Sequence, residues 1–228
     1  MKVLKMLVGF KQINILIFLL FITTSQLFSQ NTTDSIKYSI DFKFNDGVFL
    51  KFEDVISNQA VPFKNIISNE NYSDESFITK VLSKEKIRIF IEGDKKEFST
   101  HNIWGYAKNG VLYTRFSDQF YRVPSIGKIS FFVANVEVEY QSQVDPWSSN
   151  YYNMYDRSYT TTELRKFLLD FSDGTLYEYS IQNIAKLIEP DKELFNDFMA
   201  LKRKKRKQMA FIYIRRFNEN NPLFFPKH

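Results

Sequence analysis

The chain has 228 residues, of which 44% are hydrophobic and 25% charged, with a formal charge of +5, 24 Phe, 13 Tyr and no Cys. The lack of cysteine excludes disulfides, Cys-ligated zinc and lipid attachment through an N-terminal Cys. Seven Gly and six Pro are too few for a fibrous or disordered chain, and 17% aromatic residues suit a core that must hold without cross-links.

Lys2, Lys5 and Lys11 precede the apolar run Ile13 to Ile22, and small polar residues follow. A positive start, a short apolar run and a small-residue end predict a secretory signal peptide over residues 1–29, with Gln30 as the mature start. The run falls short of the roughly 20 apolar residues that span a bilayer. No later stretch could span one, so no transmembrane anchor is expected after cleavage. Taking the three lysines of residues 1–29 from the formal +5 leaves +2 for residues 30–228. Those residues are expected to form a single β-rich domain in the periplasm, at the outer membrane or outside the cell.

Ile36, Tyr38, Ile40, Phe42 and Phe44 recur with period two and predict a strand, closed by a turn at Asp46-Gly47. Glu53-Asp54 before Val55-Ile56 reads as the acidic first turn of a short helix. As a catalytic pair these carboxylates are unfavourable, because helix neighbours do not face each other. Residues 65–83 read as loop with one turn of helix. Lys86 to Glu92 alternates Ile87, Ile89 and Ile91 with other residues and predicts a strand that ends at Gly93-Asp94. Ile103 to Phe116 reads as a hairpin, because Asn109-Gly110 supplies the positive φ angles that a two-residue turn needs. Gln119–Val123 and Ile126–Tyr140 continue the strand pattern. Strands joined by turn-length connections favour an antiparallel sheet over a parallel one.

Residues 141–162 break the rhythm, with Trp147, Tyr151, Tyr152, Tyr155 and Tyr159 among Ser, Asn, Asp and Thr. A long connection of this kind predicts either a loop that packs tyrosines onto the sheet or a sugar-stacking site at Trp147, Tyr151, Tyr152 and Tyr155. Strand pattern resumes from Glu163 to Phe171. Asp173-Gly174 then marks a second hairpin of the same kind as the first, extending the sheet.

Two helices are expected over residues 180–221: a short one capped by Ser180 and ending before Pro190, and a long one from Pro190-Asp191 to Asn221-Pro222. Inside the second stand six consecutive cations, Lys202, Arg203, Lys204, Lys205, Arg206 and Lys207. They cover every face of a helix, and no acid lies between Phe198 and Phe211 to pair with them at three or four residues. Against a total of +2, this +6 leaves −4 for the rest of residues 30–228. Three readings stand: a solvated stretch screened by salt, attraction to an anionic envelope surface such as phosphate-bearing lipid, or, least expected for an exported chain, nucleic acid; the partners considered are an anionic envelope component or another envelope protein. Nucleic acid is not an expected partner of an exported chain.

No nucleotide, metal or nucleophile motif is present, and His101 is the only internal histidine. No catalytic residue, metal ligand or cofactor is expected.

The segments GVFLKFEDVISN (Gly47 to Asn58), IWGYAKNGVLYTRF (Ile103 to Phe116), FYRV and IGKISFF (to Phe132), with the leader ending LFSQ, resemble uncharacterised secreted proteins of Bacteroidota-type bacteria. The resemblance implies export and a β-rich domain, and carries no activity or site residue.

The expected fold is therefore α+β: a curled antiparallel β-sheet, as a roll or open barrel, with two C-terminal helices, the second long. The expected function is non-enzymatic binding or structural work in the periplasm or cell envelope. The alternative is a carbohydrate-binding module or hydrolase that uses the aromatic stretch 141–162.

Overall fold

A computed structural model of the chain describes residues 34–141 and 158–227. In chain order the elements are β1 (Ser35–Lys37), β2 (Gly47–Phe49), α1 (Phe52–Ile56), β3 (Ile66–Ile67), α2 (Phe77–Leu82), β4 (Lys86–Ile91) and β5 (Asp94–Ser99). Then come β6 (Gly105–Lys108), β7 (Val111–Phe116), β8 (Gln119–Arg122), β9 (Ile129–Gln141), β10 (Ser158–Asp170) and β11 (Leu176–Glu178). Helices α3 (Ile181–Ile188), α4 (Lys192–Ala200) and α5 (Arg203–Asn220) and strand β12 (Phe224–Pro226) close the chain. The fold is α+β with antiparallel sheets and a long C-terminal helix, and the strands divide into four hydrogen-bonded sets: β2-β6-β7-β8, β3-β4-β5, β11-β10-β9 and β1-β12.

The hairpin at Asn109-Gly110 forms as its sequence dictates: both residues take positive φ, 54° and 75°, and Tyr106 pairs with Tyr113 across it. Asp46 fixes this turn from outside, its carboxylate accepting from the Asn109 and Gly110 N–H groups at 3.0 and 2.9 Å. Gly47 is thus not a turn residue but the first residue of β2. A Cβ there would stand 2.3 Å from the Val61 carbonyl oxygen, which accepts from Val48 N–H at 2.9 Å. Glu92-Gly93 makes a second tight turn, φ 55° and 88°, into β5, a strand the sequence does not announce.

Regular strand in the N-terminal segment ends at Lys37, not Phe44. The chain then turns, Phe42 N–H donating to Ser39 O at 3.0 Å, and Ile40 is left 95% exposed. The cause is aromatic packing: Phe42 stacks on Phe225 with ring centroids 4.5 Å apart, and Tyr38 and Phe44 meet the same ring edge-on. A straight strand could not bring three rings of one face onto one partner.

Strands β9 and β10 pair over their full thirteen residues, Ile129 with Asp170 through to Gln141 with Ser158. Gln141 and residues 158–162 are therefore strand rather than part of the expected loop, and residues 142–157 lie outside the described residues. At the other end of β10, the connection to β11 pairs Leu169 with Leu176 and is longer than the two-residue kind expected at Asp173-Gly174. The three consecutive residues Phe167, Leu168 and Leu169 are all buried. With side chains alternating between faces, Leu168 joins Ile129 and the helices, while Phe167 and Leu169 join the aromatic clusters of Phe132 and Phe171.

The C-terminal helices number three. What the sequence offers as one helix from Pro190 to Asn221 is α4 and α5, separated at Leu201-Lys202, both of which have extended backbone (ψ 145° and 148°). A continuous helix would hold Asp191 and Asn220 roughly 40 Å apart. Instead Asn220 Nδ2 donates to Asp191 Oδ2 at 2.8 Å, and the Phe198 and Tyr213 rings lie 4.9 Å apart. The chain folds back because Leu194 and Phe198 on α4 and Ala210, Tyr213, Ile214 and Phe217 on α5 can then bury one another against Ile129 and Leu168. Residues Ile36–Pro226 form one compact unit.

Three substitutions test this architecture. Leu168 is fully buried and Leu164, four residues earlier in the same strand, is 76% exposed. Leu168→Ala is expected to lower the unfolding free energy by about 3 kcal/mol in urea denaturation and Leu164→Ala by less than about 0.5 kcal/mol. Gly47→Ala, which must displace the Val61 carbonyl, is expected to lose about 2 kcal/mol or more by the same measurement.

Candidate functional site

Each C-terminal helix starts differently. Ser180 Oγ accepts from Asn183 N–H at 3.1 Å and caps α3. Asp191 Oδ1 accepts from Leu194 N–H at 3.1 Å and caps α4. Helix α5 begins at Lys202 with no side-chain cap and no acid in its first turn. The fold-back at Leu201-Lys202 thus moves the basic run from the middle of a helix to the head of one, at the outer corner of an αα-hairpin.

That position is electrostatically adverse. A helix N-terminus carries partial positive charge, and cations there are disfavoured by about 0.3–1 kcal/mol each before screening. Lys202, Arg203, Lys204, Lys205 and Lys207 are exposed, and Arg206 is half-buried. Among the described residues none of the six forms an ion pair. Other surface cations do: Lys86 meets Glu97 at 2.8 Å, Arg165 meets Glu163 and Glu178 at 3.2 and 3.1 Å, and Arg215 meets Glu219 at 3.6 Å.

Trp147, Tyr151, Tyr152 and Tyr155, the candidate stacking residues, lie outside the described residues, as do residues 1–29. Tyr159 and Tyr140 pair across the outer part of the β9–β10 hairpin, their rings stacked at 5.6 Å, and Tyr140 donates its hydroxyl hydrogen bond to Glu163. That bond holds the Tyr140 hydroxyl above its ordinary titration range and the Glu163 carboxyl below its own.

Asp54 is accounted for by the backbone: its Oδ2 accepts from the Leu50 and Lys51 N–H groups, both at 3.1 Å, at the head of α1. His101 lies beside an open hollow that Trp104, Phe52 and Phe116 also line. Its Nδ1 is 3.0 Å from Arg115 Nη2, and Arg115 Nη1 donates to Thr100 O at 2.6 Å. Asp118 Oδ1 lies 3.4 Å from the same ring nitrogen and 3.4 Å from Arg115 Nη2, so the three side chains form one polar cluster at the surface. Among the described residues no three His, Cys, Asp or Glu side chains group as metal ligands, and no helix is long and apolar enough to cross a membrane.

The sequence shows the basic run but not its place, since no Gly or Pro marks the corner at Leu201-Lys202. No family model matches the chain, and neither a curated protein nor a solved structure matches it.

Asp191 holds the corner shut from its far end. Its bonds from Asn220 and Leu194, helped by the nearby Arg216 charge, hold its carboxyl below the usual carboxylate range. A lowered folded value means stability fully present above the unfolded value and lost as pH falls through the folded one. Asp191→Ala is expected to cost about 1 kcal/mol at neutral pH, as capping substitutions do. In thermal melts the gap to wild type is expected to narrow as pH drops below the carboxylate range, and a gap unchanged in acid would contradict the assignment.

Proposed function

We propose that this protein is an exported, non-enzymatic component of the cell envelope that docks on anionic phospholipid surfaces through Lys202–Lys207. The observation that carries the proposal is the concentration of six cations, without an ion-pair partner among the described residues, at one helical corner. Export rests on the leader pattern of residues 1–29. Cations near an anionic bilayer contribute roughly 1 kcal/mol each, an attraction that fades within a Debye length and weakens with salt. The cations of the first turn, Lys202 to Lys205, destabilise the free helix head, so a negative surface relieves a strain the fold itself imposes. The rest of residues 30–228 sums to −4, which disfavours approach by other faces and orients the molecule.

The test is flotation of the exported protein with phosphatidylcholine vesicles, with and without phosphatidylglycerol, at low and high salt. Wild type is expected to float only with the anionic vesicles and to be released by salt. A variant with all six cations changed to Gln should lose at least about a thousandfold in vesicle affinity while melting no lower than wild type. Flotation of the variant equal to wild type would overturn the proposal.

A further inference from the structure

The six cations are not equivalent. Arg203, Arg206 and Lys207 are three and four residues apart and so share one face of α5. That face lines a groove of about 830 Å³ whose other wall includes Tyr179, Ser180 and Gln182 at the start of α3. Lys202, Lys204 and Lys205 do not line it, and neither does any acid among the described residues.

Arg206 adds an independent observation at this groove. Its Nε–H is closed off from solvent and has no hydrogen-bond partner among the described residues. Its Nη1 is set against the Met199 thioether at 3.5 Å, a weak acceptor. A buried N–H without an acceptor is destabilising, more so on a charged group, and a guanidinium is built to meet two oxygens at once.

The walls supply further donors. Ser180 Oγ accepts from Asn183 N–H, which leaves its own O–H to donate. Burial holds the Tyr179 hydroxyl above its ordinary titration range, so it remains a neutral donor. Lys166 Nζ stands 5.7 Å from the Tyr179 ring centroid and adds positive charge on that side. Ile181, Ala185 and Met199 give the same groove an apolar side.

We infer that the groove between α3 and the head of α5 seats one anionic phospholipid headgroup. Arg203, Arg206 and Lys207 hold the phosphate, Ser180 and Gln182 face the hydroxyl-bearing part, and the first acyl carbons leave across Ile181, Ala185 and Met199. Three cations within about one helical turn of a single groove wall fit one phosphate, whereas an extended acidic peptide calls for cations spaced along a track. The apolar side fits a lipid and gives nothing to a free phosphate ion. The inference rests on the docking proposal above and adds a specific seat to it.

The test compares two triple variants that remove the same charge, R203Q/R206Q/K207Q from the groove and K202Q/K204Q/K205Q from outside it. Short-chain phosphatidylglycerol below its micelle concentration is expected to bind saturably to wild type and to the outer variant, shifting the Arg206 Nε–H resonance. The groove variant should lose saturable binding, and its affinity for phosphatidylglycerol vesicles should fall at least about tenfold below that of the outer variant. Equal losses in the two variants, with vesicle binding by wild type intact, would overturn the seat and leave the docking proposal standing. Inorganic phosphate that shifts the Arg206 resonance as the lipid does, or polyglutamate that does so in its place, would overturn the lipid assignment. No binding of wild type to anionic vesicles would overturn both readings.

Discussion

The fold depends on one strand being buried on both sides. Over Phe167, Leu168 and Leu169, strand β10 sends alternate side chains into opposite clusters, so the helices on one side and the aromatic clusters on the other are anchored to the same three residues. Strand β9 does the same with Ile129 and Phe132, and in a chain without cysteine hydrophobic burial is the term that must offset the entropy of ordering these layers. Further along, the same strand pairs fully with β9 but leaves Leu164 and Tyr159 exposed. Past the core the hairpin is carried by its ladder hydrogen bonds and by exposed side-chain pairs such as the stacked Tyr140 and Tyr159 rings.

What the sequence shows of this, and what it hides, follows from the range of the forces involved. Turns and caps are local, so Asn109-Gly110, Ser180, Asp191 and the acidic head of α1 can all be read from a few neighbours. Strand β5 hides because it is the edge of its sheet and carries Lys95, Lys96 and Glu97, the charges that edges use to discourage further pairing. Charge there erases the alternation that identifies a strand. Helix α2 is legible only as the single helical turn expected within residues 65–83, because no side chain caps it and its four buried residues, Phe77, Ile78, Val81 and Leu82, span too short a window to show a period. The segment after Lys37 misleads in the opposite sense. Its rings do alternate, but a shared partner near the end of the chain, Phe225, decides their direction.

The corner at Leu201-Lys202 is the instructive case for function. Periodicity of apolar residues continues from α4 into α5, so pattern alone argues for one helix. The break comes from tertiary burial, since a straight helix would leave either Leu194 and Phe198 or Tyr213 and Phe217 without partners. The basic run therefore changes its electrostatic meaning on folding: charges that would be neutral with respect to the dipole in mid-helix become adverse at a helix head.

A helix head loaded with cations is stable only if something else holds the corner, and here that is packing at some distance from the charges. Phe198 against Tyr213 fixes the two helices near the corner, and Asp191 with Asn220 fixes them at the opposite end. The head of α5 is consequently presented in one orientation. In a flexible tail the same six charges would attract an anionic surface equally from all sides, with each side chain ordered only on contact. Held on a helix, Arg203, Arg206 and Lys207 face the start of α3 together while Lys202, Lys204 and Lys205 stay outside that groove. Rigidity divides one run of charge into a general attraction and a local one, and only the local one depends on which of the six residues is changed.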